Sequence, residues 1–169
     1  MSEPAAATEL DPPRQVTFRP IRPDDVARLQ AFHQRLSPEA IRLRFHSYLR
    51  ELSDGMARHF CEVDGQNRIA LVAVAGEPEQ IVAVGRFDRE QDDAAEVAFV
   101  VADAYQRQGI GAYLFRRLIA EARQGGIRTL IARVLLGNTA MRRLLEHTGY
   151  PLQVEYSRDA NCIRLSLVD

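Results

Sequence analysis

The spacing of apolar positions changes several times along this chain, and each change marks an element. Val16-Thr17-Phe18-Arg19 reads as a short strand. Pro20, Pro23, Asp24 and Asp25 then turn the chain into a helix with Val26, Leu29 and Phe32 at helical spacing, its acidic first turn suited to the helix dipole. Ser37-Pro38-Glu39 starts a second helix, with Ser37 as N-cap and Pro38 at the first helical position, where its missing N–H costs nothing. That helix is basic: Arg42, Arg44 and Arg50 stand among Ile41, Leu43, Phe45 and Tyr48. The arginines suit a solvated face or a substrate wall, and the solvated face is the expectation because most charged helix residues meet water.

Period-two and continuous apolar runs follow. Ile69 to Ala75 and Gln80 to Phe87, joined by Gly76-Glu77-Pro78-Glu79, predict an antiparallel hairpin. Arg89 to Asp93 is a polar turn, and Ala95 to Val101 is apolar enough for a central strand covered on both faces. Helical spacing returns at Ile110, Leu114, Leu118 and Ile119, with Gly125-Gly126 as the stop. A strand from Ile127 to Leu136, a helix capped by Asn138 with Met141, Leu144 and Leu145 on one stripe, and short strands around Leu152 to Tyr156 and Cys162 to Val168 complete the pattern. The order predicts a mixed sheet flanked by helices.

Residues 1–15, with Pro4, Pro12 and Pro13, bury little and read as a loose tail before a domain over residues 16–169. A length of 169 residues with 46% hydrophobic content suits one domain, and a net charge of -1 gives no general grip on nucleic acid or an anionic membrane. Cys61 and Cys162 form neither a disulfide framework nor a metal spacing, and the four histidines His33, His46, His59 and His147 are scattered, so no metal is expected. No signal peptide or run of about 18 apolar residues appears, which predicts a cytoplasmic protein.

The strongest local signal is Gln106-Arg107-Gln108-Gly109-Ile110-Gly111-Ala112, between the end of an apolar strand and the start of an amphipathic helix. Glycines let the backbone approach a ligand closely, and the first-turn N–H groups of the helix point at any anion there. A tight turn needing glycine for packing alone explains the same residues. The missing Gly-Lys-Ser/Thr excludes a P-loop, and the dinucleotide fingerprint is absent.

This loop resembles the acetyl-CoA site of the GNAT N-acetyltransferases, a Q/R-x-x-G-x-G/A segment matched by Gln106, Gly109 and Gly111. The resemblance runs from Val16-Thr17-Phe18-Arg19-Pro20 to a second family element, Asn138-x-x-Met141-x-x-Leu144-Leu145-Glu146-x-x-Gly149-Tyr150. It implies an α/β (α+β) fold: a mixed, mostly antiparallel sheet of about six to seven strands, about four flanking helices and a splayed cofactor cleft. It also implies acetyl-CoA as co-substrate, its pyrophosphate on Gln106, Arg107, Gln108, Gly109, Ile110, Gly111 and Ala112, and its pantetheine arm along Phe99, Val100 and Val101 beside Asn138. Leu145 departs from the family by standing where many members carry the tyrosine that protonates the departing thiolate; Tyr150 reads as a core or hinge residue instead.

Attack by a lysine-like amine needs a proton acceptor, since an ammonium of pKa about 10.4 is neutral only to about one part in a thousand near pH 7.4. Glu96, in the otherwise apolar run Ala95 to Val101, is the candidate base, against the alternative of a strand carboxylate paired with an arginine. The segment Glu96-Val97-Ala98-Phe99-Val100-Val101 and the residues Leu36-Ser37-Pro38-Glu39 and Arg42-Leu43-Arg44-Phe45 are similar to bacterial protein lysine acetyltransferases that act on acyl-CoA synthetases. This implies a protein lysine acceptor, a free-standing form without a regulatory domain and, dimers being common in the family, a homodimer. A small-amine acetyltransferase and a non-catalytic acyl-CoA-binding regulator stay open as alternatives.

Overall fold

The computed structural model describes Pro13 and residues 15–168; the rest of the tail expected over residues 1–15 lies outside the described residues. In chain order the elements are β1 (Thr17–Pro20), α1 (Val26–Arg35), α2 (Pro38–Phe45), α3 (Asp54–Cys61), β2 (Arg68–Ala75), β3 (Gln80–Gln91) and β4 (Ala94–Val101). After them come α4 (Ile110–Gln124), β5 (Thr129–Leu135), α5 (Thr139–Glu146), β6 (Leu152–Glu155) and β7 (Ala160–Ser166). The 7 strands form one sheet in the order β1-β2-β3-β4-β5-β7-β6. Every neighbouring pair is antiparallel except β4 and β5, whose parallel pairing is bridged by helix α4, as parallel strands require a crossover. The mixed sheet expected from the element order is present, and it is mostly antiparallel, as the family resemblance implied.

Helix α3 is the one the pattern missed. Ser53 caps it by accepting the Met56 N–H at 3.2 Å, and Ala57 and Cys61 are its buried stripe. Helix α2 is shorter than expected. It stops at Phe45 because His46 takes a left-handed φ of 56°, and Tyr48 and Arg50 lie beyond it. The strand expected from Ile127 also starts late: the Ile127 N–H still bonds to Ala122 O at 2.9 Å and closes α4, so β5 begins at Thr129.

Two apolar layers cover the sheet. On one face Leu114, Phe115 and Leu118 of α4 and Leu145 of α5 pack on Phe87, Val97 and Leu130. On the other, Leu29, Phe32, Ala40 and Ala57 from α1, α2 and α3 pack on Val72, Val74 and Ile81. Each fully buried side chain of this kind contributes about 1.5–3 kcal/mol, so both faces anchor the strands firmly. The site lies where that anchoring leaves two strands free to part.

Candidate active site

Strands β4 and β5 stay in register only over Ala94↔Thr129, Ala95↔Leu130 and Glu96↔Ile131. Beyond Glu96, β4 continues to Val101 paired with β3 alone, which opens the splayed cleft. The Ala102 N–H bonds to Val82 O at 2.8 Å, so antiparallel alternation turns the main chain of Val100 and Ala98 toward β3. The same alternation leaves the N–H groups of Phe99 and Val101 on the open side. Of the three residues expected along a pantetheine arm, Phe99 and Val101 therefore offer donors to the cleft, while Val100 packs its side chain on the α1–α3 layer.

At the end of β4 the Gln106 side chain donates to Val101 O at 3.1 Å and ties the loop to the strand. Arg107 and Gly109 both take left-handed backbone, at φ 61° and 82°. For Arg107 this conformation costs of order 1–3 kcal/mol, a strain of the kind that collects at functional loops. Helices α2, α3 and α5 each have a side-chain cap, but Gly109 caps α4 with none. The N–H groups of Ile110, Gly111 and Ala112 accordingly donate to no described residue. A Cβ on Gly109 would meet nothing within 4 Å, so the space above the loop is open to a ligand. Exposed main-chain donors, a helix N-terminus and open space fit a pyrophosphate.

A cavity of about 210 Å³ lies in the cleft, lined by residues of β4, β5, α5 and the end of α2. Glu96 faces it. The alternative of an arginine partner is present too: Arg133 of β5 holds Glu96 at 3.4 Å and Glu90 at 3.2 Å. Burial and a hydrogen bond that the protonated Glu96 carboxyl can donate to Glu90 push Glu96 above its ordinary value, and Arg133 opposes them without winning. Glu96 is thus a carboxylate readier to take a proton than a surface one. Asn138 also lines the cavity, and its side chain caps α5 by accepting the Met141 N–H at 3.1 Å.

Sequence reasoning missed two residues here, Glu90 and Arg133, and favoured the wrong one of two readings for a third, Arg44. The exposed Arg133 alternates with buried Ala132 and Val134, a period-two signal that marked it as a strand side chain facing away from the core. Arg44 corrects the solvated-face expectation for α2. Arg42 pairs with Glu39 at the surface and Arg50 is exposed, but Arg44 is partly buried and lines the cavity. Leu145 is 1% exposed and belongs to the core, outside the cavity. Tyr150 packs on that core and its hydroxyl accepts from Arg123 at 3.1 Å. His33 is buried with Nε2 2.7 Å from Leu49 O, whereas His46 lines the cavity. Burial pushes the Cys61 thiol up to about 11, as for an inert core cysteine. Among the described residues no group of three or more His, Cys, Asp or Glu could hold a metal, and no helix is long and apolar enough to cross a membrane.

A strand splayed from its neighbour above an uncapped, glycine-rich helix start defines an acyltransferase fold, and comparison with known proteins agrees. The acetyltransferase (GNAT) domain matches residues 15–151, and the chain belongs to the GNAT acetyltransferase family. The acetyltransferase Pat of Mycolicibacterium smegmatis is 37% identical over 134 residues, which cover 78% of this chain and 40% of Pat. The GNAT domain of S. lividans PAT matches with a TM-score of 0.82 at 31% identity, covering 89% of this chain and 90% of that one. The yncA protein of Salmonella typhimurium, solved with its cofactor acetyl-CoA, shares the fold at a TM-score of 0.71 and 21% identity, over 92% and 96% of the two chains.

Proposed function

We propose that this protein transfers an acetyl group from acetyl-CoA to a primary amine, a protein lysine being the acceptor class that the resemblance of its Glu96 to Val101 segment to bacterial protein lysine acetyltransferases favours. The observation that carries the reading is the coincidence of one open strand edge with one basic carboxylate. Phe99 and Val101 have free donors on the cleft side, and Glu96, whose affinity for a proton is raised, lies on the same strand.

In this reading the main-chain N–H groups of Gln106 to Ala112 hold the pyrophosphate of acetyl-CoA, and Asn138 borders the pantetheine arm. The Phe99 and Val101 N–H groups orient the thioester carbonyl and stabilise the negative charge that grows on its oxygen. Glu96 takes the proton of the attacking amine, directly or through water, as the new C–N bond forms. The carbon–sulfur bond then breaks and the electron pair leaves on sulfur. With Leu145 in the core, water or another side chain supplies the proton for that thiolate, a leaving group stable near neutral pH.

Calorimetric titration with acetyl-CoA tests the cofactor half of the reading. The wild-type protein is expected to bind in the micromolar range and Gly109→Glu, which sets a carboxylate against the pyrophosphate, to bind at least tenfold more weakly. A folded wild-type protein without affinity would sink it. Acetylation of lysine peptides measured beside a panel of small amines then identifies the acceptor.

A further inference from the structure

We infer that Arg44 builds an anion subsite at the acceptor end of the cleft, one that receives a carboxylate flanking the amine to be acetylated. The inference rests on the proposed amine acceptor and names its chemistry. Arg44 sits on the last turn of α2, and its side chain lines the cavity opposite Glu96 and Arg133. It also borders the small apolar cavity beneath α1, where Phe32, Leu36 and Phe60 are its neighbours.

Its guanidinium carbon lies 4.7 Å from the centroid of the Phe45 ring, and Arg44 makes no ion pair or hydrogen bond with any described residue. The carboxylates that feel its charge are already held by other arginines. Asp88 is 2.9 Å from Arg68 and 3.2 Å from Arg86, and Glu96 is 3.4 Å from Arg133. Arg86 is satisfied as well, by Asp88 and by a 3.3 Å bond to Phe60 O. Arg44 is therefore a partly buried cation facing a cavity with its donors unused. Burial, with the charge of Arg86, pushes it down to about 10, so an arriving carboxylate would relieve an existing cost.

The same charge has a second effect on the acceptor. A bare ammonium is repelled by Arg44 while it is attracted by Glu96, and a carboxylate beside the amine cancels the repulsion. Two sources supply that chemistry: an aspartate or glutamate next to an acceptor lysine, or the carboxylate of a free amino acid. A planar guanidinium suits either through paired hydrogen bonds.

Two acceptor pairs test the inference by steady-state acetylation. One is a lysine peptide flanked by glutamates and its glutamine-flanked twin; the other is an amino acid and its carboxamide. A charge-assisted bond predicts that wild-type protein favours the carboxylate member of at least one pair about 10- to 100-fold in kcat/KM, mostly through KM. The peptide pair responding points to a protein side chain, and the small pair alone to a free amino acid. Arg44→Gln is expected to erase the preference, weakening the carboxylate member while relieving the repulsion felt by the neutral one, and Arg44→Lys to retain part of it. Glu96→Gln should slow both members alike and leave the preference intact, which separates the base assignment from the subsite. Equal wild-type turnover within both pairs, no turnover of any acceptor, or equal loss on both members in Arg44→Gln overturns the inference.

Discussion

Glu96 on β4 and Arg133 on β5 meet at 3.4 Å just past the last rung of register between their strands, with Glu90 3.2 Å from the same guanidinium. The two carboxylates compete for one cation, and burial together with the Glu90 hydrogen bond holds Glu96 above its ordinary value. A base must be ionised to act, so activity rises as pH passes that raised value. The acid limb of kcat/KM should stand above the usual glutamate range near pH ~4.3. Glu90→Gln removes a raising neighbour and should move the limb to lower pH. Arg133→Gln should move it higher, and Arg44, the other cation whose charge reaches Glu96, should raise it on neutralisation. Glu96→Gln should lower kcat by about 10² to 10⁴ without altering acetyl-CoA binding. Full turnover in Glu96→Gln, or a limb unmoved by Glu90→Gln, would remove the assignment.

Gly85 of β3 predicts a link between packing and cofactor affinity. A Cβ there would stand 2.7 Å from Phe99 Cε1 and 3.1 Å from Leu118 Cδ1, and the Phe99 ring is itself braced on Phe115 with centroids 4.9 Å apart. Phe99 also borders the cleft, so a ring pushed from Gly85 disturbs the β4 edge there. Gly85→Ala should cost about 1–3 kcal/mol of stability and weaken acetyl-CoA binding by displacing β4. Denaturant melts and calorimetry on one preparation check both; unchanged affinity would show that β4 absorbs the methyl group without moving.

The Gln106 to Ala112 turn and the strand before it were legible as elements because they rest on local chemistry: glycine at a left-handed φ, and an apolar run broken by one glutamate. The partners of Glu96 were not, since Glu90 and Arg133 reach it across strand register, which only the folded sheet defines. Arg44 misled for the same reason. A helix wheel separates inside from outside but cannot show that the outer face of α2 is the wall of a cleft. Helix α3 escaped notice because Gly55 and three exposed polar positions, Asp54, Arg58 and His59, mask a short buried stripe.

The chain start is fixed by a buried ion pair with a predictable acid failure. Arg19 of β1 holds Asp25 through bonds of 2.7 and 2.9 Å, and Asp25 is fully buried. Burial pushes the Asp25 carboxyl up, but the bonds from Arg19 and the Arg22 N–H, helped by Arg28, hold it below its ordinary value. A depressed folded value means that stability is fully present above the unfolded pKa of about 3.9 and is lost as pH falls through the folded value. Asp25→Asn leaves Arg19 paired with Glu79, 2.6 Å away, but breaks the buried charge pair and should cost about 1–3 kcal/mol near neutral pH. Its melting temperature should depend less on pH below about 4 than that of the wild type. Identical acid slopes in the two proteins would show that other carboxylates govern the transition.

Ser37 and Asp103 join the start of α2 to the turn that leads into Gln106. Asp103 takes the Ser37 N–H at 3.0 Å and its hydroxyl at 2.8 Å, and Asp103 opens the 3-10 turn that runs into Gln106. Ser37 also caps α2 by accepting the Ala40 N–H at 3.1 Å, so Ser37→Ala loses the cap and the hydroxyl bond to Asp103, keeps the main-chain N–H bond to it, and should cost about 1 kcal/mol of stability. Asp103→Ala keeps the cap and removes only the tether between α2 and the loop. Each lost bond at an exposed site is worth about 0.5–1.5 kcal/mol, so Asp103→Ala should raise the acceptor KM roughly 2- to 10-fold. The melting temperature should stay within a few degrees, and acetyl-CoA affinity should change less than the acceptor KM. If Arg44 acts from α2 on the acceptor, the rise should be larger for a carboxylate-bearing acceptor than for its neutral twin. An acceptor KM equal to that of the wild type would mean that α2 holds its position through the apolar layer beneath it and needs no tether.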